Sequence, residues 1–93
     1  MITKKDLNEI RETLCSFSNA AFEIYKYPKF ADDVEGVMTD SAHAVVEIDM
    51  LLENNPEHLP VRKSTELFNE GVKIIKEGDQ IFKNLLPKVD EKI

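Results

Sequence analysis

Apolar residues recur along most of this chain at alternating spacings of three and four, the period that predicts amphipathic helices. The first run comprises Leu7, Ile10, Leu14, Phe17, Ala21 and Ile24. Thr3 and Asp6 stand before it at the spacing of a capping box, in which each side chain accepts a hydrogen bond from the backbone N–H of the other residue. Pro28 follows the run. We therefore predict a first helix over residues 4–27.

The same spacing returns twice. The second run comprises Ala31, Val34, Met38, Ser41, Val45, Ile48 and Leu52, and the third comprises Val61, Ser64, Phe68, Gly71, Ile75, Gly78, Phe82, Leu85 and Val89. Val37, Ala44 and Leu51 widen the second run on the adjoining row, and Leu67, Ile74 and Ile81 lie beside the third. Pro56 and Pro60 separate them, and Pro60 suits the first position of a helix. We predict helices over residues 30–54 and 61–86. The third helix should kink or end just before Pro87, because proline lacks the N–H that a helix interior requires.

Three helices of similar length joined by short turns predict an all-α fold. The simplest arrangement is a three-helix antiparallel up-down-up bundle that occupies residues 1–93 as one domain, since so short a chain supports a single core. The long uninterrupted spacing also suits a helical hairpin that completes its core by dimerising. The sequence leaves both arrangements open.

Negative charge is confined to the middle of the chain. The net charge is −6, and between Lys29 and Arg62 there are eight acidic residues and no Lys or Arg. The acidic residues are Asp32, Asp33, Glu35, Asp40, Glu47, Asp49, Glu53 and Glu57. Such a one-sided field attracts basic partners and disfavours direct binding of nucleic acid.

Apolar residues also occur on the polar side of the second helix. Ala42, Val46 and Met50 recur every four residues there. An apolar strip within an acidic rim is typical of a protein interface. The residues that we expect to bind a partner are Asp32, Asp33, Glu35, Asp40, Val46, Glu47, Asp49, Met50 and Glu53. Two alternatives are that the acidic face is only solvated and that the strip belongs to the core.

Gly71 and Gly78 lie one heptad apart on the predicted inward side of the third helix. Each costs about 1 kcal/mol relative to Ala in a helix. We expect the bare backbone to make room for Phe17, Phe22 or Met38 from a neighbouring helix. A ligand slot beside the glycines is the alternative.

Catalytic chemistry has little support in this sequence. Cys15 has no partner cysteine, and His43 shares one stripe of the second helix with Asp40 and Glu47. We expect that stripe to point outward, whereas metal sites in helical bundles project inward. The sequence therefore predicts no catalytic residue, cofactor or metal ion.

Glu9-x-x-Glu12 resembles the first acidic motif of MazG-type nucleotide pyrophosphohydrolases, all-α enzymes that hold magnesium between two paired acidic motifs. The second motif of that family, Glu-x-x-Asp, does not occur in this chain. The resemblance would imply a magnesium-dependent enzyme, but it covers half a motif.

The leading expectation is a small acidic, non-enzymatic interaction protein that docks its second helix on a basic surface of a partner, such as a nucleic-acid-binding protein. Inhibitors and nucleic-acid mimics of phages and mobile elements are similar in size and charge. The alternative is a self-associating structural bundle, and the third is the MazG-like enzyme. We expect a cytoplasmic location, because the chain shows no signal segment and no apolar run of about 20 residues.

Overall fold

The computed structural model describes residues 1–92 of the chain, and the side chains of residues 1–88. The described residues form three helices, α1 (Lys4–Tyr25), α2 (Ala31–Asn54) and α3 (Val61–Lys92). Each helix contacts the other two, so the predicted all-α three-helix bundle is confirmed. The bundle is a rod of 48 × 18 × 17 Å.

The start of α1 is the predicted capping box. Thr3 Oγ1 accepts a hydrogen bond from the Asp6 N–H at 3.1 Å, and Asp6 Oδ2 accepts one from the Thr3 N–H at 2.9 Å. The backbone N–H of Thr3, followed by its hydroxyl, lowers the pKa of Asp6 because both stabilise the carboxylate. Lys4, in the same first turn of α1, donates through Nζ to the carbonyl of Pro56 in the segment between α2 and α3.

The end of α1 lies two residues before the predicted one. The Tyr27 N–H bonds to the Ile24 carbonyl at 2.9 Å, and the Phe30 N–H bonds to the Tyr27 carbonyl at 2.9 Å, so tight turns replace the helix here. Pro28 favours this break, because a residue that precedes proline is disfavoured in the helical conformation.

The predicted end of the third helix is wrong: α3 continues through Pro87 to Lys92. Proline removes the hydrogen bond to the carbonyl four residues earlier, that of Lys83. Lys83 and Pro87 are both exposed, so water can take the place of the missing N–H. Val89, which the spacing placed on the inward side, lies outside the described side chains.

The core consists of two clusters along the rod. The first is built around Leu7, Leu14 and Ile48, which are fully buried, and the second around Ala21 and Val34. The buried row of α2 comprises Val34, Val37, Ser41, Ala44, Ile48 and Leu51. All six belong to the predicted apolar face, on which Met38, Val45 and Leu52 are only half-buried.

The two buried glycines of α3 pack against side chains of α1. A Cβ atom on Gly71 would lie 2.8 Å from Ile10 Cδ1, and one on Gly78 would lie 2.6 Å from Phe17 Cδ2. The packing role expected for these glycines is confirmed, with Phe17 as one of the predicted neighbours. The other nearest side chains are Ile10 and Leu14 at Gly71 and Val37 at Gly78, in place of the expected Phe22 or Met38.

Candidate docking surface on α2

The carboxylates of α2 do not form a single ladder. Successive residues of a helix are about 100° apart, which separates these side chains around the axis. Asp32 and Asp33 lie in the first turn of α2, where negative charge stabilises the helix N-terminus. The others divide among the outer face, the side that meets α1 and the side that meets α3.

Asp49 faces α1, contrary to the expectation that it points to solvent. Arg11 Nη2 donates to Asp49 Oδ2 at 3.2 Å, and Arg11 Nε donates to Asp49 Oδ1. This paired hydrogen bond raises the pKa of Arg11 above its ordinary value. Asp49 therefore joins α2 to α1, while its side chain remains 46% exposed.

The Arg11–Asp49 pair could have been found in the sequence. If the chain is folded back at Pro28, Arg11 lies within about one helical turn of Asp49. A count of charges along α2 alone does not reveal such a pair, because the partner residue lies on α1.

Asp40, His43 and Glu47 lie at the edge of a groove between α2 and α3. The groove has a volume of about 380 Å³, and Glu66 and Glu70 line its opposite side together with Lys63. Glu66 and Glu70 were not predicted to lie beside the acidic residues of α2, because the stretch without Lys or Arg ends at Arg62. Within residues 1–88, no three His, Cys, Asp or Glu side chains converge closely enough to hold a metal ion.

The outer face of α2 carries an exposed row of apolar side chains, which we call the apolar ridge: Ala42, Val46 and Met50. Val46 and Met50 are each 55% exposed, so the ridge is not part of the core. Glu35 and Glu53 are exposed on the same face, and Glu47 is exposed between the ridge and the groove. The apolar residues and the carboxylates thus adjoin each other, as the sequence predicted.

A hollow lies at each end of the apolar ridge. The first, of about 290 Å³, lies beside Met50 and is lined by Glu47, Met50, Leu51, Asn54, Asn55 and Lys63. The second, of about 240 Å³, lies beside Ala42 and is lined by Cys15, Ser18, Asn19, Ala42 and Val45. The ridge therefore crosses α2 from the α1 side to the α3 side.

The remaining candidates are isolated on the surface. Glu9 and Glu12 are exposed on α1, away from the carboxylates of the α2–α3 groove. Cys15 is a free, half-buried cysteine beside the hollow at Ala42. None of the helices in residues 1–92 has a stretch long and apolar enough to cross a membrane.

Comparison with known proteins adds no further constraint on function. No protein-family model matches the chain, and no curated protein or solved structure is significantly similar to it.

Proposed function

We propose that this protein is a small, non-enzymatic interaction protein that docks the outer face of α2 on a basic surface of a partner protein. The observation that carries the proposal is the exposed apolar ridge on a helix that contains seven carboxylates and no Lys or Arg. Two half-exposed apolar side chains of this size within an acidic surrounding have the composition of an interface centre and its rim.

The charges around the apolar ridge determine which sign of charge a partner surface should carry. With Asp49 paired to Arg11, Glu35, Glu47 and Glu53 remain around the apolar ridge. Carboxylates at an interface rim accelerate association with a basic surface and repel an acidic one. A surface rich in Lys and Arg is also one that contacts phosphates, so an inhibitor or nucleic-acid mimic directed at a cytoplasmic nucleic-acid-binding protein is the form of this function that we propose.

Self-assembly is a second candidate, supported by the same exposed Val46 and Met50. Two copies that meet through the outer face of α2 would bring like charges together, so their association should strengthen as salt screens the repulsion. Docking on a basic partner should weaken with salt. Sedimentation at micromolar concentration, repeated at low and high salt, separates the two candidates.

The direct test uses charge reversal on either side of the apolar ridge. We expect the double variant Glu47→Lys, Glu53→Lys to abolish association with a native basic partner isolated from the host, and to remain helical. The matched control is Glu9→Lys, Glu12→Lys, which changes the net charge equally on the exposed side of α1. The wild-type association should also fall between about 0.05 and about 0.5 M salt, over which the Debye length shortens severalfold.

Equal binding by both double variants, or binding that is independent of salt, would show that the acidic face of α2 is only solvated. Nucleic acid should compete with the protein for the partner, because both would contact the same Lys and Arg side chains.

A further inference from the structure

The apolar ridge is one i,i+4 row of α2. Rows of this kind form the ridges by which helices pack into one another's grooves. The adjacent rows are Thr39, His43 and Glu47 on one side, and Val45, Asp49 and Glu53 on the other. The ridge therefore has the form of a helix-packing surface, although α1 and α3 pack elsewhere on α2.

The two ends of the ridge set the spacing that two side chains of a partner must match. Ala42 and Met50 are eight residues apart, which is about 12 Å along the axis at 1.5 Å per residue. Two side chains seven or eight positions apart on another helix are separated by about 10.5–12 Å. The hollow beside Ala42 lies in the α1–α2 groove and the hollow beside Met50 lies on the α3 side of α2. One helix that crosses the ridge obliquely can thus place one bulky side chain beside each of these two residues.

The charges beside the ridge select the kind of helix. Glu47 and Glu53 stand on opposite sides of it, and Asp49 is neutralised by Arg11. Lys63 stands at the far edge of the hollow beside Met50. A helix with Lys or Arg on both sides of its apolar stripe complements Glu47 and Glu53, whereas a second copy of α2 would oppose carboxylate to carboxylate.

We infer that the partner presents a single amphipathic basic helix, which packs on the apolar ridge along the outer face of α2. Two bulky apolar residues seven or eight positions apart pack beside Ala42 and Met50, on the sides that face the two hollows. Lys or Arg residues beside them contact Glu47 and Glu53. This inference rests on the proposed function and specifies the structure that α2 recognises.

The test uses the full-length protein and three synthetic peptides of about 18 residues, or five helical turns. The first peptide has two Leu residues one heptad apart, flanked by Lys on an Ala-rich helix. The second has the same composition in scrambled order, and the third has Gln in place of both Leu residues. We expect the first peptide to bind at least about tenfold more tightly than the others in fluorescence anisotropy, because two buried Leu side chains contribute more than that factor.

Two protein variants locate the contact. Val46 is 55% exposed on the ridge and Val61 is 56% exposed at the start of α3. We expect Val46→Ser to weaken binding of the first peptide about tenfold, because the methyl groups lose their apolar contact. Val61→Ser should leave the affinity unchanged.

Equal binding of the three peptides would overturn the inference and leave the proposed function standing, because it would show attraction to basic charge without helix docking. Binding of none of them would count against both. A homodimer that Val46→Ser dissociates would assign the ridge to a second copy of the chain and would also overturn the inference.

Discussion

Gly78 lies against the ring of Phe17, so close that a methyl group on the glycine would come within 2.6 Å of Cδ2 and 2.7 Å of Cε2. The ring also packs edge-to-face against Phe82 of α3, with 5.3 Å between the ring centroids. Phe17 therefore cannot move aside without disturbing a second aromatic contact between α1 and α3.

The three glycines should respond differently to substitution by alanine. Gly78→Ala should lower the free energy of unfolding by about 1–3 kcal/mol, because overlap with Phe17 outweighs the better helix propensity. Gly36→Ala should raise it by about 1 kcal/mol, since no described atom lies within 4 Å of the added methyl group. Gly71→Ala should fall between them, because the nearest atom, Ile10 Cδ1, ends a flexible side chain. Urea unfolding measures all three, and a stabilising Gly78→Ala would contradict the close packing.

Substitution of the two buried serines by alanine should have different effects on the free energy of unfolding. Ser41 is fully buried, and its Oγ has no hydrogen-bond partner among the residues that the structure describes. Ser41→Ala should raise the free energy of unfolding by about 1 kcal/mol, because an unsatisfied hydroxyl costs more to bury than a methyl group.

Ser64 is the matched control, since it is 1% exposed and its Oγ donates to the Pro60 carbonyl at 2.8 Å. Ser64→Ala removes that bond at the start of α3 and should be neutral or destabilising by up to about 1 kcal/mol. If Ser41→Ala is the more destabilising of the two, the Ser41 hydroxyl has a partner in solution.

Asp6 should make the stability of the fold sensitive to acid. Its pKa in the folded protein lies below the ordinary value of 3.8, because the Thr3 N–H and hydroxyl bind the carboxylate. The resulting stability is fully present above the ordinary value and is lost as the pH falls through the lowered pKa. An NMR titration should find the Asp6 pKa below 3.8 in wild type and higher in Thr3→Ala. In Asp6→Asn this contribution to the pH dependence should be absent.

Substitutions of Arg11 and Asp49 should have coupled effects on stability. The single substitutions Arg11→Gln and Asp49→Asn should each lower the melting temperature, and the double variant should lower it by less than the sum. Strict additivity would mean that the pair is not formed in solution. The surface pair of Arg62 and Glu66, with the arginine almost fully exposed, provides a comparison for which we expect little coupling.

The helical period in the sequence records which side of each helix is apolar. It was therefore sufficient to predict three helices and the buried Ile48, but it left open whether Val46 is exposed or part of the core. It does not record which residues of two helices face each other across a groove, because that depends on the rotation of each helix about its axis. This is why Asp49 was expected in solvent, and why Glu70 was not placed beside Asp40 and Glu47.

Pro87 shows a second reason why the sequence alone did not predict the whole structure. Proline in a sequence indicates that one helical hydrogen bond will be lost. How much free energy this loss costs depends on whether the unpaired carbonyl of Lys83 is buried or in contact with water. Exposure of that turn is a property of the bundle and not of the local sequence.

The apolar ridge lies on the opposite side of α2 from the row that forms the core. Ala42, Val46 and Met50 can accordingly be exchanged with little effect on the contacts of Leu14 or Ile48. If the ridge binds a partner as proposed, the choice of partner can change at these three positions while the fold stays constant. The same separation makes the bundle a suitable scaffold for selecting new binding specificities from a library randomised at these positions.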